Sequence, residues 1–128
     1  MLKRAMDEFL VRDCSSMRAV EPVKQHPQKM WRLEGERIIS HYLNLARKPG
    51  PPPFTLPTQI LSKVYIQNAS LEIIHTKTIE EYGNVCGQSI IPFFTEGYEG
   101  FDLNTPDDWI LAEELVKRGL VNLPEMNG

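Results

Sequence analysis

A chain of 128 residues with 41% hydrophobic and 24% charged side chains fits one domain of ordinary size and excludes an intrinsically disordered or mainly membrane-embedded protein. No stretch approaches the ~18 consecutive apolar residues of a spanning helix. Fourteen basic against seventeen acidic residues give a formal charge of −3, which excludes a global attraction to nucleic acid.

Leu2, Ala5, Met6, Phe9 and Leu10 recur at helical spacing and predict an amphipathic helix from residue 2 to about 11. It begins directly after Met1 without a capping residue, so it reads as a helix that covers a sheet, as if the chain started in the middle of a larger fold. Ser16 to Val23 reads as a strand entering the core. Lys29 to Leu33 and Arg37 to Tyr42, joined by Glu34-Gly35-Glu36, predict a β-hairpin. Residues 47–58 hold five prolines in twelve positions, which forbids helix or central strand and predicts an extended arm.

Val64 to Ile74 is the next expected strand. Val64 and Ile66 are apolar at even positions, and Ala69, Leu71 and Ile73 at odd ones. Burying both sets on one face requires a bulge near Gln67-Asn68. A short helix is expected from Thr78, with Glu81 completing a capping box. Asn84 to Gly87 turns the chain into a strand from Ser89 to Phe94, in which Pro92 favours a sheet edge or an irregularity. The last helix follows Thr105-Pro106-Asp107-Asp108, an N-cap, an N1 proline and two first-turn acids, and it stops at Lys117-Arg118-Gly119. Its expected buried stripe is Trp109, Ala112, Leu115 and Val116. Strands alternating with helices make the class α/β, in a single domain spanning 1–128.

Charge is divided along the chain. Residues 1–48 carry ten basic and six acidic side chains, whereas residues 49–128 carry four and eleven. A basic half beside an acidic one suits a site for an anion and a cation, or head-to-tail subunits, or chance surface composition. Asp7-Glu8 comes too early for a signal-peptide apolar region. Cys14 and Cys86 follow no metal or redox spacing, and a reduced, cytoplasmic chain is expected.

Two sets of residues could carry chemistry. In extended backbone, Asp102 and Asn104 point the same way, and two oxygen donors at that spacing can reach one hard cation such as Mg²⁺. The same pair could simply close the turn before the helix. Gln59, Asn68, Ser70 and Glu72 form a polar set suited to a polyhydroxylated ligand, or else an exposed sheet face. Phe93, Phe94, Tyr98 and Phe101 read as core, or as the aromatic wall of a sugar pocket. His26, His41 and His75 lack zinc spacing.

Four stretches, in order, carry a resemblance. They are Asp13-Cys14-Ser15-Ser16-Met17-Arg18-Ala19-Val20, His26-Pro27-Gln28-Lys29-Met30, Gln59 through Ile73, and Glu99 to Trp109 with Ala112-Glu113. Together they resemble the C-terminal half of the acylneuraminate cytidylyltransferase family, the CMP-sugar synthetases. The resemblance implies a Rossmann-like nucleotidyltransferase sheet that joins CMP from CTP to a sugar acid with Mg²⁺ and releases pyrophosphate. It makes Asp102 the catalytic, metal-binding carboxylate and places Asn104 where the family usually has a second acid. Gln59, Asn68, Ser70, Glu72, Phe93 and Phe94 become substrate-binding positions. Residues 30–58 become a dimerisation arm, which implies a homodimer.

Thr58 stands in place of the family's arginine, Ala69 in place of a glycine, and Glu72 where an aromatic residue is common. These departures fall on anion- and sugar-facing positions and point to a related sugar acid or a divergent activity. Nothing in residues 1–20 resembles the family's phosphate-holding loop. The resemblance therefore implies a chain that supplies the sugar and metal side, with CTP held by a separate half. A non-catalytic sugar-binding or dimerisation module on the same scaffold is the alternative.

Overall fold

A computed structural model describes residues 1–35, 37–41 and 49–123. The chain forms two compact units, one of Met1–Glu21 with the chain from Gln67 onward, the other of Pro22–Ile66. Among the described residues no helix is long and apolar enough to cross a membrane.

The first unit is a small α/β arrangement of three helices and a three-stranded mixed sheet. In chain order it contains α1 (Leu2–Leu10), β1 (Ser16–Pro22) as far as Glu21, β4 (Tyr65–Ile74) from Gln67 onward, α2 (Thr76–Tyr82), β5 (Ile90–Phe94) and α3 (Pro106–Lys117), with β2 and β3 falling in the second unit. The sheet order is β4-β1-β5. β5 runs parallel to β1, with Ser16 opposite Ile90 and Val20 opposite Phe94. β4 runs antiparallel to β1, since His75, just past its end, donates its backbone N–H to the carbonyl of Ser15, just before β1 starts (3.3 Å).

The pleat of β1 sorts its side chains. Met17 and Ala19 turn to one face, where they form the core with Ala5 and Phe9 of α1, Cys14 and Phe93; Leu71, Ile73 and Ile91 pack against it. Ser16 and Arg18 turn to the other face, over which the 84–87 turn lies. There Ser16 Oγ donates to the Cys86 carbonyl (2.7 Å) and Arg18 to the Val85 carbonyl (2.7 Å). The expected turn at Asn84 is built by its side-chain oxygen, which accepts from the N–H groups of Cys86 (2.9 Å) and Gly87 (2.8 Å).

Pro92 lies on an edge strand, as its missing N–H requires. Ser89 C=O accepts from Ser16 (3.2 Å) and Thr95 N–H donates to Val20 (3.1 Å), so odd positions of β5 face β1 and Pro92 faces outward. The outward carbonyl of Phe94 accepts from Arg4 of α1 (3.1 Å). A missing donor and an occupied acceptor blunt this edge against further strand pairing.

Four sequence expectations need correction. β4 is a strand from Tyr65 to Ile74, but of the expected apolar positions Leu71 and Ile73 pack on the core whereas Ala69 is exposed. Ile66 is 54% exposed, and the bonds flanking the β4–β1 pairing, Val23 N–H to the Val64 carbonyl (3.1 Å) and His75 N–H to the Ser15 carbonyl (3.3 Å), differ in register by three residues, so β4 carries an irregularity between them. α2 starts at Thr76 with His75 as N-cap and no side-chain cap, while Thr78 lies inside it. The hydroxyl of buried Thr78 instead donates to the Ser15 carbonyl (2.9 Å), tying α2 to the start of β1. α3 has the expected Thr105 N-cap, but Leu115 is its buried residue and Trp109 is 60% exposed. Val116 is exposed as well, because the described sheet lays its core face on α1. In α1, Ala5 and Phe9 are buried whereas Leu2 and Leu10 are exposed.

The second unit holds the hairpin β2 (Trp31–Glu34) and β3 (Arg37–His41), paired antiparallel with an irregularity between Arg32 and Leu33. Glu36, Tyr42, Arg47 and Lys48 lie outside the described residues. The proline-rich segment makes single 3-10 turns at Pro53–Thr55 and Thr58–Ile60. The Trp31 and Phe54 rings pack 4.6 Å apart. Buried His26 accepts from Gln28 N–H through Nδ1 (3.2 Å), which leaves Nε2–H to donate to the Ser62 carbonyl (3.0 Å).

Candidate functional site

The pairing of β1 with β5 ends at Val20 and Phe94. Ligands of α/β sheets generally bind beyond the carboxyl ends of parallel strands. Thr95, the first residue past β5, donates its hydroxyl to the Val20 carbonyl (3.2 Å) and accepts from Asn68 Nδ2 of β4 (3.2 Å). Asn68 is itself oriented by Ser70, whose backbone N–H (3.3 Å) and hydroxyl (2.6 Å) both donate to Asn68 Oδ1. The N–H donor fixes which end of the amide is oxygen. Asn68 and Ser70 thus form one hydrogen-bonded set at the strand ends.

Chain 95–101 then crosses toward α3. Gly100 passes so close to β4 and β1 that a Cβ on it would lie 2.5 Å from Glu21 Oε2, 2.6 Å from Asn68 Nδ2 and 3.2 Å from Thr95 Oγ1. A side chain here would push the ends of the Glu21 and Asn68 side chains aside, and glycine leaves them in place. The segment is also pinned by Glu99, which accepts from Glu96 N–H (2.9 Å) and pairs with Arg4 and the Met1 ammonium. Burial pushes the Glu99 carboxyl up, but the Glu96 N–H and the two cations outweigh it, and the net direction is down. Arg4 completes the brace by lying over the Phe93 ring, 4.3 Å from its centroid.

Asp102 follows two residues after Gly100 and is exposed. Its Oδ1 accepts from the Leu103 N–H (2.9 Å) and its Oδ2 from the Asn104 side-chain amide (2.8 Å). The two side chains therefore do face the same way, as the spacing predicts. Next comes the α3 cap, where Thr105 and Asp108 satisfy each other reciprocally. Hydrogen bonds from the Thr105 hydroxyl, then from the Thr105 and Asn104 N–H groups, hold the Asp108 carboxyl below its ordinary range.

Asp102 and Asn104 fit a hard cation as a two-ligand platform. Turning the Asn104 amide presents its oxygen beside the Asp102 carboxylate, and Mg²⁺ commonly takes one or two protein carboxylates with waters and substrate phosphates. Among the described residues, no group of three or more His, Cys, Asp or Glu side chains gathers as a metal cluster.

The remaining candidates separate. Glu72 shares the Asn68–Ser70 face of β4 but pairs with Arg18, which is only 7% exposed, and also accepts from Gln67 (3.2 Å). Burial lowers the Arg18 pKa, but its contacts with Glu72 and Cys86 more than offset this, leaving it raised. Phe93 is a core residue with 0% exposure, on the α1 side, and has no surface to offer a ligand. Phe94 is 47% exposed and, one residue on, turns to the face of Arg18 and Asn68. Gln59 is exposed on the Thr58–Ile60 turn of the second unit.

Sequence reasoning missed Glu21, Arg18, Thr95 and Gly100. An arginine inside an apolar strand, with Glu72 available on another strand, was the readable signal for Arg18. Nothing local marked the others. No family model matches this sequence, and no curated protein matches it detectably.

Proposed function

We propose that this chain carries the sugar and metal side of a nucleotidyltransferase-like site, one that transfers CMP from CTP to a sialic-acid-like or other sugar acid. The observation that carries the reading is the exposed Asp102–Asn104 pair, which follows two residues after Gly100, where the backbone passes against Asn68 and Thr95 near the carboxyl ends of the parallel strands. The sequence resemblance and the mixed sheet support the Rossmann-like assignment.

In this reaction a sugar hydroxyl oxygen forms a bond to the α-phosphorus of CTP, and the bond from that phosphorus to pyrophosphate breaks. The hydroxyl proton passes to water. Mg²⁺ held by Asp102 and Asn104 would neutralise charge growing on the phosphates. Asn68, fixed by Ser70 and Thr95, offers a preoriented amide to a sugar hydroxyl. Phe94 presents an apolar ring on the same face. Glu72 holds Arg18, so in this reading it shapes the polar face from within. The second unit, with Gln59 and the arm within residues 30–58, is assigned to substrate contact and a homodimer surface.

A second reading has specific support. Asp102 is already satisfied by Leu103 and Asn104, as a turn-closing aspartate would be, which suits a non-catalytic sugar-binding or dimerisation module. Incubating the chain with CTP, N-acetylneuraminate and Mg²⁺ while measuring pyrophosphate and sugar binding separates the two. The transferase reading expects sugar binding that strengthens with Mg²⁺ and weakens in Asp102→Ala, with pyrophosphate release near background when no separate CTP-holding half is added. Sugar binding indifferent to both Mg²⁺ and Asp102 favours the module.

A further inference from the structure

We propose that Glu21 is a sugar-hydroxyl receptor at this site, acting as the acceptor half of a clamp whose donor half is Asn68. The inference rests on reading the site as a sugar site. Three neighbouring strands deliver their polar groups to one place, namely the Glu21 carboxylate from β1, the Asn68 amide from β4 and the Thr95 hydroxyl from the end of β5. All three lie within 3.2 Å of the point where a Gly100 side chain would begin.

Their hydrogen-bond capacities are unequal. Asn68 Oδ1 is taken by Ser70, and one of the two Nδ2 hydrogens goes to Thr95. The second Nδ2 hydrogen remains. Glu21 is half-buried, yet among the described residues its carboxylate makes no hydrogen bond and no ion pair. Glu72 and Glu99, by contrast, each hold an arginine. Both oxygens of the Glu21 carboxylate can therefore accept from a bound donor.

An unused acceptor beside an unused donor matches a hydroxyl, which donates to the carboxylate and accepts from the amide. A carboxylate ligand does not match, because Glu21 repels it. The corner therefore faces the hydroxyl-bearing side of the sugar ring and leaves the sugar's acid group to point elsewhere. Glu21 is thus a specificity residue for the polyol portion of the substrate.

The test is calorimetric titration of the whole chain with N-acetylneuraminate and, separately, 3-deoxy-manno-octulosonate, for wild type, the isosteric Glu21→Gln, and Gly100→Ala, with thermal unfolding as the folding control. Glu21→Gln should bind at least about tenfold more weakly at an unchanged unfolding midpoint. Gly100→Ala should also lose binding, since its methyl group displaces Glu21 and Asn68. Glu21→Asp stands in should Glu21→Gln not fold, with the same expected loss. Binding equal to wild type in these variants overturns the role of Glu21 while leaving the sugar site intact. Absence of binding of either sugar to the wild-type chain overturns both.

Discussion

The Glu72 carboxylate closes on the Arg18 guanidinium across adjacent strands, so the polar face of β4 carries an ion pair whose cation is buried and whose anion reaches solvent. Arg18 keeps the Val85 carbonyl and Cys86 sulfur as further partners. Removing the anion leaves a buried charge partly unpaired. Glu72→Gln should cost about 1–3 kcal/mol in urea unfolding. Replacing both partners by Met and Leu should cost less than the single change, because no charge is then left stranded.

The two consecutive phenylalanines should behave oppositely. Phe93→Ala empties a fully buried position and should destabilise by about 3–5 kcal/mol. Phe94→Ala, on the half-open face, should change stability by less than about 1 kcal/mol. Its effect should appear in sugar affinity. Chemical denaturation and calorimetric titration of the same two variants measure both quantities.

Where local chemistry determines local structure, the sequence was legible. The α3 cap, the Asn84 turn, the β-hairpin and the edge position of Pro92 follow from hydrogen-bond accounting within a few residues. Burial was less legible, since it depends on which layers are present. Trp109 and Val116 have helical spacing for a buried stripe, yet α1 covers the core face of the sheet. The site was legible in part. Asp102 with Asn104, and Asn68 with Ser70, are brought together at the spacings that suggested them. Glu21 and Gly100 meet across 79 positions of chain, a distance that composition and period cannot bridge.

Acid should loosen the brace between α1 and the 96–101 segment. The Glu99 carboxyl is lowered in the folded chain, so its stabilisation is complete above the unfolded carboxyl value of about 4.3 and is lost as pH falls through the lower folded value. Unfolding free energy measured from pH 6 to pH 2 should fall over that window. Glu99→Gln should flatten the profile and lower stability at neutral pH.

Thr105→Ala removes the hydroxyl that accepts from the Asp108 N–H and donates to its carboxylate. Helix α3 should lose about 1 kcal/mol, seen as faster amide exchange in its first turn. Asp102 binding should respond only weakly, since Asp102 takes its own bonds from Leu103 and Asn104.

The most direct measurement is selective broadening of backbone amide resonances on titration with Mn²⁺ as a stand-in for Mg²⁺, in wild type and Asp102→Ala. Coordination by Asp102 and Asn104 predicts broadening centred on residues 102–104, reaching Gly100 and Asn68, and abolished in the variant. Broadening scattered over surface acids, or unchanged by Asp102→Ala, would contradict the assignment of the metal side to this chain.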